Sequence, residues 1–139
     1  MEKKFLKKFT AKMSLDNLGS HQDIKNIWHN ETGDCIQFQS EQVAIVAERI
    51  DDYLTIYRSA EDEKPIGFQL KDVRALIDKY KYSQIFVKTT VSSDNNELIS
   101  VTALLINTLT ESIPSINRRE AYTEAIKVLA TEDNVAVRV

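Results

Sequence analysis

The feature that most constrains this chain is a change of hydrophobic period between residues 34 and 80. Apolar and polar residues alternate in three short segments, which is the pattern of strands with one buried face. The apolar positions are Ile36, Phe38, Leu54, Ile56, Ile66, Phe68 and Leu70. The period then lengthens to that of a helix, with Val73, Leu76, Ile77 and Tyr80 on one face. The segment therefore predicts strands, a hairpin between Leu54 and Leu70, and a helix that covers them.

The rest of the chain adds further strands and two further helices. Short strands are predicted at 24–28, 43–50 and 84–91, although the apolar run Val43–Ala47 fits a helical turn as well. A capping pattern from Asp94 to Glu97 predicts a helix over 97–110. A second capping pattern after Pro114 starts the last helix at Asn117, and alternating valines from Val135 predict a terminal strand.

These elements together define the expected fold class and domain organisation. We predict an α+β fold with a mainly antiparallel sheet over about residues 24–91, a helix after the hairpin and two C-terminal helices. Residues 1–20 are interpreted as a basic amphipathic N-terminal segment and residues 21–139 as a single α+β domain. Phe5, Leu6 and Phe9 fall at helical spacing among five lysines, which fits a docked terminal helix or a helix on nucleic acid or a membrane.

Composition excludes several classes of protein. The chain has 139 residues, 42% hydrophobic and 28% charged, as in ordinary globular domains, and its net charge of −3 disfavours a nucleic-acid footprint over the whole surface. One cysteine forms no internal disulfide, and with two histidines it supplies too few ligands for a zinc cluster. No metal or cofactor is predicted. No apolar run is long enough to span a bilayer, and no signal-peptide pattern follows the N-terminal lysines, so the expected location is cytoplasmic.

Residues 30–70 resemble a small β-rich family of prokaryotic proteins of unknown function. That family has a D-x-x-x-D-x-L-x-I strand entry, to which Asn30, Asp34, Ile36 and Phe38 correspond, and an I-V-G-I-E-I exit, to which 65–70 corresponds with its glycine. The family's D-x-x-G turn is replaced by residues 61–64, and Gln69 replaces its exit acid. The resemblance implies a β-sheet module without catalytic residues. Some members of the family look like partners of small toxin proteins.

Candidate catalytic residues are few, and none is favoured. Cys35 and His29 have the residue types of a nucleophile and its base, but a packing role for Cys35 fits better beside the acidic Asp34. Asp51, Asp52 and Asp72 offer carboxylates, yet neighbours at 51 and 52 point to opposite faces of a strand. Arg118 and Arg119 are interpreted as a solvated helix start. With only three glycines and no phosphate-loop motif, the protein is predicted not to be an enzyme.

The sheet face opposite the core is the predicted binding surface. Tyr53, Thr55, Tyr57 and Gln69, together with Gln37, share that face if the alternating apolar residues point inward. These side chains suit protein recognition. An ordinary solvent-facing sheet explains them too, and so does a sheet face that the N-terminal helix covers. We therefore predict a non-enzymatic protein-interaction module that forms a homo-oligomer, with a protein partner as a further expectation. A nucleic-acid-associated regulator of antitoxin type and an enzyme with an unrecognised site stay as alternatives.

Overall fold

The predicted hairpin is the centre of a five-stranded antiparallel sheet. The computed structural model describes residues 26–83, 87–91, 96–130 and 133–138, and only the backbone of 88–91. The first five strands are β1 (Ile27–Asn30), β2 (Cys35–Gln39), β3 (Ile45–Arg49), β4 (Leu54–Ser59) and β5 (Pro65–Lys71), in the spatial order β1-β2-β5-β4-β3. The predicted N-terminal segment, residues 1–20, lies outside the described residues.

The alternation seen in the sequence sets the register of this sheet. Leu54 lies opposite Leu70, and Phe68 lies opposite both Ile56 and Phe38. All five of these side chains are buried and belong to one core cluster. Because successive residues of a strand point to opposite faces, one face of the sheet is apolar and the other is polar. The α+β class, the hairpin and the strand at 43–50 are confirmed.

Three helices of the described residues cover the apolar face. They are α1 (Val73–Tyr80), α2 (Val101–Thr110) and α3 (Ile116–Leu129), and their buried residues join the same core cluster. Ser115 caps α3, accepting a hydrogen bond from the N–H of Arg118, so the helix begins one residue before the predicted Asn117. No helix of the described residues is long and apolar enough to cross a membrane.

A second sheet contains the end of the predicted strand at 84–91, the start of the predicted helix over 97–110 and the predicted terminal strand. Its strands are β6 (Lys88–Val91), β7 (Asn96–Ser100) and β8 (Asn134–Arg138), in the order β6-β7-β8. The predicted helix over 97–110 is therefore wrong for its first turn, because 96–100 pair with β8 instead. The true cap is Ser100, whose hydroxyl accepts a hydrogen bond from the N–H of Ala103. Of the predicted strand at 84–91, residues 88–91 form β6 and pair with β7 in this second sheet rather than with the first, and 84–86 lie outside the described residues. The predicted terminal strand is confirmed as β8.

The turn between β1 and β2 also caps α1. Asp34, rather than Gly33, adopts the left-handed conformation, with φ of 51°. Its carboxylate accepts hydrogen bonds from the N–H of Arg74, at 3.1 Å and 3.3 Å, and its carbonyl accepts one from Val73. Asp72 precedes the helix but makes no capping bond with its side chain. The free N–H groups at the start of α1 are thus satisfied from a turn distant in sequence.

Gly67 marks a close approach of β5 to β2. A Cβ atom at this position would lie 2.1 Å from the carbonyl oxygen of Phe38. Any side chain would therefore push the two strands apart. The glycine retained in the exit strand has a steric reason in this fold.

Candidate interaction surface

The polar face of the five-stranded sheet, turned away from the helices, carries the predicted binding residues. The register places Trp28 opposite Gln37, Gln37 opposite Gln69, and Gln69 opposite Thr55, which makes one row across four strands. We call this surface the outer face. Its central residues are Trp28, Cys35, Gln37, Thr55, Tyr57 and Gln69.

A hydrogen-bond network holds the centre of the outer face. The Tyr57 hydroxyl donates to Gln37 Oε1 at 2.7 Å. The amide nitrogens of Gln37 and Gln69 both donate to Cys35 Sγ, each at 3.6 Å. Cys35 is only 5% exposed. The pKa of the Tyr57 hydroxyl is raised, chiefly because the hydroxyl is buried and secondly because Cys35 is close to it. These hydrogen bonds therefore restrict the side chains of Tyr57, Gln37 and Gln69.

The Tyr57 side chain reaches across β5 to contact Gln37. Tyr57 lies opposite Gly67 on β5, and Gln37 lies one strand further, on β2. The Tyr57 ring therefore crosses β5 close to the position that lacks a side chain.

The structure brings three of the four predicted binding residues together. Thr55 and Gln69 are cross-strand neighbours, and Tyr57 is part of the network beside them. Tyr53 comes just before β4 and packs against the core cluster. The pKa of the Tyr80 hydroxyl is raised, first by burial and then by the nearby Tyr53. The backbone N–H of Tyr53 also donates to Asp51 Oδ1 at 2.8 Å.

Trp28 is the outer-face residue that the sequence analysis missed. It is 50% exposed on β1 and lies at the end of the row that starts at Thr55. In the sequence, only the neighbouring apolar residues Ile27 and Trp28 indicated that one of the two faces outward. In the structure Ile27 is buried and Trp28 is exposed. The indication in the sequence was weak because the first strand is only four residues long.

Asp51 and Arg118 form a second polar cluster, which is structural. Asp51 Oδ1 accepts the N–H groups of Tyr53 and Leu54, and Oδ2 accepts Arg118 Nε and the Tyr122 hydroxyl, all four at 2.8 Å. Burial acts to raise the pKa of Asp51, but these hydrogen bonds outweigh it and lower the pKa below its usual value. Burial and the Asp51 charge raise the pKa of Tyr122.

Arg118 is fully used inside this cluster. Its two terminal nitrogens donate to the carbonyl oxygens of Leu109 and Thr108, at 3.0 Å and 2.9 Å, at the end of α2. The expectation of a solvated helix start is therefore wrong for Arg118, because its side chain is only 18% exposed, whereas Arg119 is exposed as expected. With every nitrogen of its guanidinium bonded to protein, Arg118 has little left to offer a ligand.

The candidate catalytic pair is split between the two faces of the sheet. His29 lies opposite Ile36, on the apolar side, and its Nε2 contacts Asp34 Oδ1 at 2.9 Å. Cys35 belongs to the outer face. Among the carboxylates, Asp52 is exposed and pairs with Arg49 at 3.1 Å, whereas Asp51 belongs to the cluster with Arg118.

Cavities and metal-ligand groups add no competing site within the described ranges. A surface cleft has a volume of about 190 Å³, which is below the usual size of a small-molecule pocket. It is lined by Arg74, Ile77, Asp78, Lys81 and Glu97. Over the same part of the chain, no three His, Cys, Asp or Glu side chains are grouped as metal ligands would be. The outer face is the more developed candidate surface.

Comparisons with known proteins do not assign the chain to a family. No protein-family model, curated protein or solved structure matches it. The resemblance of residues 30–70 to a small β-rich family therefore stays a prediction. The function has to be inferred from the outer face and its surroundings.

Proposed function

We propose that the protein is a non-enzymatic protein-interaction module that works as a homo-oligomer and binds a protein partner through its outer face. The observation that carries this proposal is the fixed network of Tyr57, Gln37, Gln69 and Cys35 on a face that no described helix covers. Catalytic groups are not needed for such a role.

The chemistry of the outer face supports protein recognition. Tyrosine and tryptophan are enriched in protein interfaces, whereas lysine and acidic residues are depleted at their centres. The central residues include Tyr57 and Trp28 and contain no charged side chain. Charged residues stand around this centre, with Lys71 on β5 and Arg49 on β3.

Preorganisation of the outer face favours affinity. Binding normally costs free energy because side chains lose rotamer freedom at an interface. The two glutamines and Tyr57 are already held by hydrogen bonds to each other and to Cys35. A partner that meets this surface has fewer side chains to order.

Site-specific photo-cross-linking tests the outer face. Benzoylphenylalanine in place of Thr55 should give a discrete covalent adduct in cells that express the protein, and Tyr57→Ala in the same chain should reduce its yield. The matched control carries the same photo-cross-linker at Thr123, an exposed threonine on α3. Adducts at Thr123 of the same mass and yield as at Thr55, or none at Thr55, would contradict the proposed surface.

A further inference from the structure

Within the described residues, one edge of the five-stranded sheet carries backbone groups that pair with no other strand. The N–H of Ala60 donates to the carbonyl of Ala44, and the N–H of Ile50 donates to that of Leu54, both at 2.8 Å. Because hydrogen-bonded pairs alternate along an antiparallel ladder, the even-numbered residues of β3 direct their N–H and C=O groups to β4. Ile45, Ala47 and Arg49 therefore direct theirs away from the sheet.

No other strand of the described residues pairs with this edge, because β3 ends the strand order. The opposite edge differs, since β1 lies against β8 of the second sheet. Proteins usually blunt a free edge with proline, a bulge or unpaired charge. β3 has no proline, begins with Ile45, Val46 and Ala47, and leaves Val46 56% exposed.

The charges on β3 are already compensated within the chain. Glu48 accepts a hydrogen bond from Arg58 at 2.8 Å, and Arg49 contacts Asp52 at 3.1 Å. Arg58 in turn contacts Glu124 of α3 at 2.9 Å. Pairing of this edge with another strand would thus bring together no uncompensated charge.

We propose that two copies of this chain pair through β3 in an antiparallel twofold arrangement centred on Ala47. This inference rests on the proposed homo-oligomer and names the surface that forms it. A twofold axis perpendicular to the sheet places the same faces of both copies side by side, which gives a continuous ten-stranded sheet.

The register follows from the positions of the unpaired groups. With Ala47 opposite Ala47 of the second copy, Ile45 of each copy lies opposite Arg49 of the other. All three outward residues of each strand then exchange both hydrogen bonds. A register centred on Arg49 would place two guanidinium groups side by side. On the apolar side, the exposed Val46 is covered by Glu48 of the other copy.

Sedimentation equilibrium of the full chain tests the dimer. The wild type should sediment as a dimer, and Ala47→Pro should weaken dimerisation roughly tenfold or more. The proline removes the N–H at position 47 in both copies, and each of these N–H groups bonds only to the other copy. The intrachain ladder to β4 loses nothing, so far-UV circular dichroism should stay native. A wild type that is monomeric at its highest soluble concentration overturns the proposal.

Disulfide cross-linking tests the register and does not depend on the proline variant folding. Ala47→Cys should oxidise to a covalent dimer, because the two Cβ atoms face each other across the axis. Val46→Cys and Glu48→Cys should each fail alone and cross-link when mixed. The wild type, with only Cys35, is the control. A dimer that resists Ala47→Pro and forms no disulfide at position 47 overturns the edge but leaves a homo-oligomer.

The two proposals fail separately. Loss of the Thr55 adducts with an intact dimer would remove the outer face as the binding surface and keep the β3 pairing. Adducts at Thr55 from a monomeric protein would keep the outer face as the binding surface and remove both the β3 pairing and the homo-oligomer. A cross-link from position 47 to a different protein, without self-pairing, also overturns the inferred dimer.

Discussion

Asp51 shows how one carboxylate joins three parts of the chain. It binds the backbone at the start of β4, the guanidinium of Arg118 and the hydroxyl of Tyr122 in α3, while Arg118 also binds the last carbonyls of α2. The Asp51 side chain is 19% exposed. Little water therefore reaches its partners, and few of these hydrogen bonds could be replaced by bonds to water if the carboxylate were removed. Its neighbour Asp52 is 87% exposed, and Arg49 is the one side chain of the described residues that it contacts.

These surroundings predict unequal effects of the same substitution. Asp51→Asn should lower the free energy of unfolding by about 3 kcal/mol, because it leaves the Arg118 guanidinium without its anion. Asp52→Asn, the matched control, should change it by less than about 0.5 kcal/mol, as expected for an exposed pair. Urea unfolding at pH 7 measures both. Equal losses for the two variants would contradict the structural role of Asp51.

The lowered pKa of Asp51 also predicts a pH dependence. A carboxylate whose folded pKa lies below its unfolded pKa stabilises the fold above the unfolded pKa, and this contribution is lost as the pH falls. The difference in unfolding free energy between wild type and Asp51→Asn should therefore be full above about pH 5 and shrink below about pH 4. Urea unfolding across this range measures it. A difference that grows on acidification would show the opposite sign.

The sequence identified Asp51 as a candidate residue but did not predict its structural role. The residue was considered as a catalytic carboxylate, and Arg118 as a solvated helix start. Their contact joins positions 67 apart in the chain. No local period or capping pattern reports a contact of that kind, so only the folded structure reveals it.

At the scale of elements, α1 depends on a turn rather than on its own first residues. Asp34 accepts hydrogen bonds from the N–H of Arg74 and contacts His29, while Asp72 at the start of α1 makes no side-chain cap. Both aspartates have φ between 50° and 60°, at 51° and 57°. They are therefore matched in backbone conformation and differ in their contacts.

The pair offers a test of the distant cap. Asp34→Asn should lower the free energy of unfolding by about 1–2 kcal/mol, because Arg74 and His29 then bond to a neutral amide instead of a carboxylate. Asp72→Asn should change it by less than about 0.5 kcal/mol, since asparagine keeps the left-handed preference and no cap is removed. Urea unfolding followed by circular dichroism compares them. The reverse order would mean that Asp72 caps α1 in solution.

The elements that were predicted well are those with local patterns. The hairpin from Leu54 to Leu70 and the helix after it follow from periods of two and 3.6 residues. β7 was predicted as a helix start because Leu98 and Ile99 continue into the apolar run of α2. Its strand conformation comes from pairing with β8, more than thirty residues later, which a local pattern does not contain.

At the scale of the whole molecule, the two sheets share one core. Val135 and Val137 of β8 and Ile99 of β7 belong to the same buried cluster as Ile27 of β1. The second sheet also meets the first at β1, which lies against β8. We therefore expect the sheets to unfold together as one cooperative unit.

The single tryptophan reports on this coupling. Val137→Ala in β8 should lower the free energy of unfolding by about 2 kcal/mol, because it leaves a cavity at a fully buried site. The urea midpoint seen by fluorescence of Trp28, in the first sheet, should fall together with that seen by circular dichroism. Ala136→Ser, at the exposed neighbouring position, is the control. A Trp28 midpoint that stays constant would show that the sheets unfold independently.

The long separation between Asp51 and Arg118 has a consequence for the lifetime of the folded state. Their contact forms only after β4, α2 and α3 have docked, so we expect it to be absent from the transition state for folding. Interactions of this kind leave the folding rate nearly unchanged and slow unfolding. The carboxylate of Asp51 should therefore determine how long a molecule remains folded, rather than how quickly it becomes so.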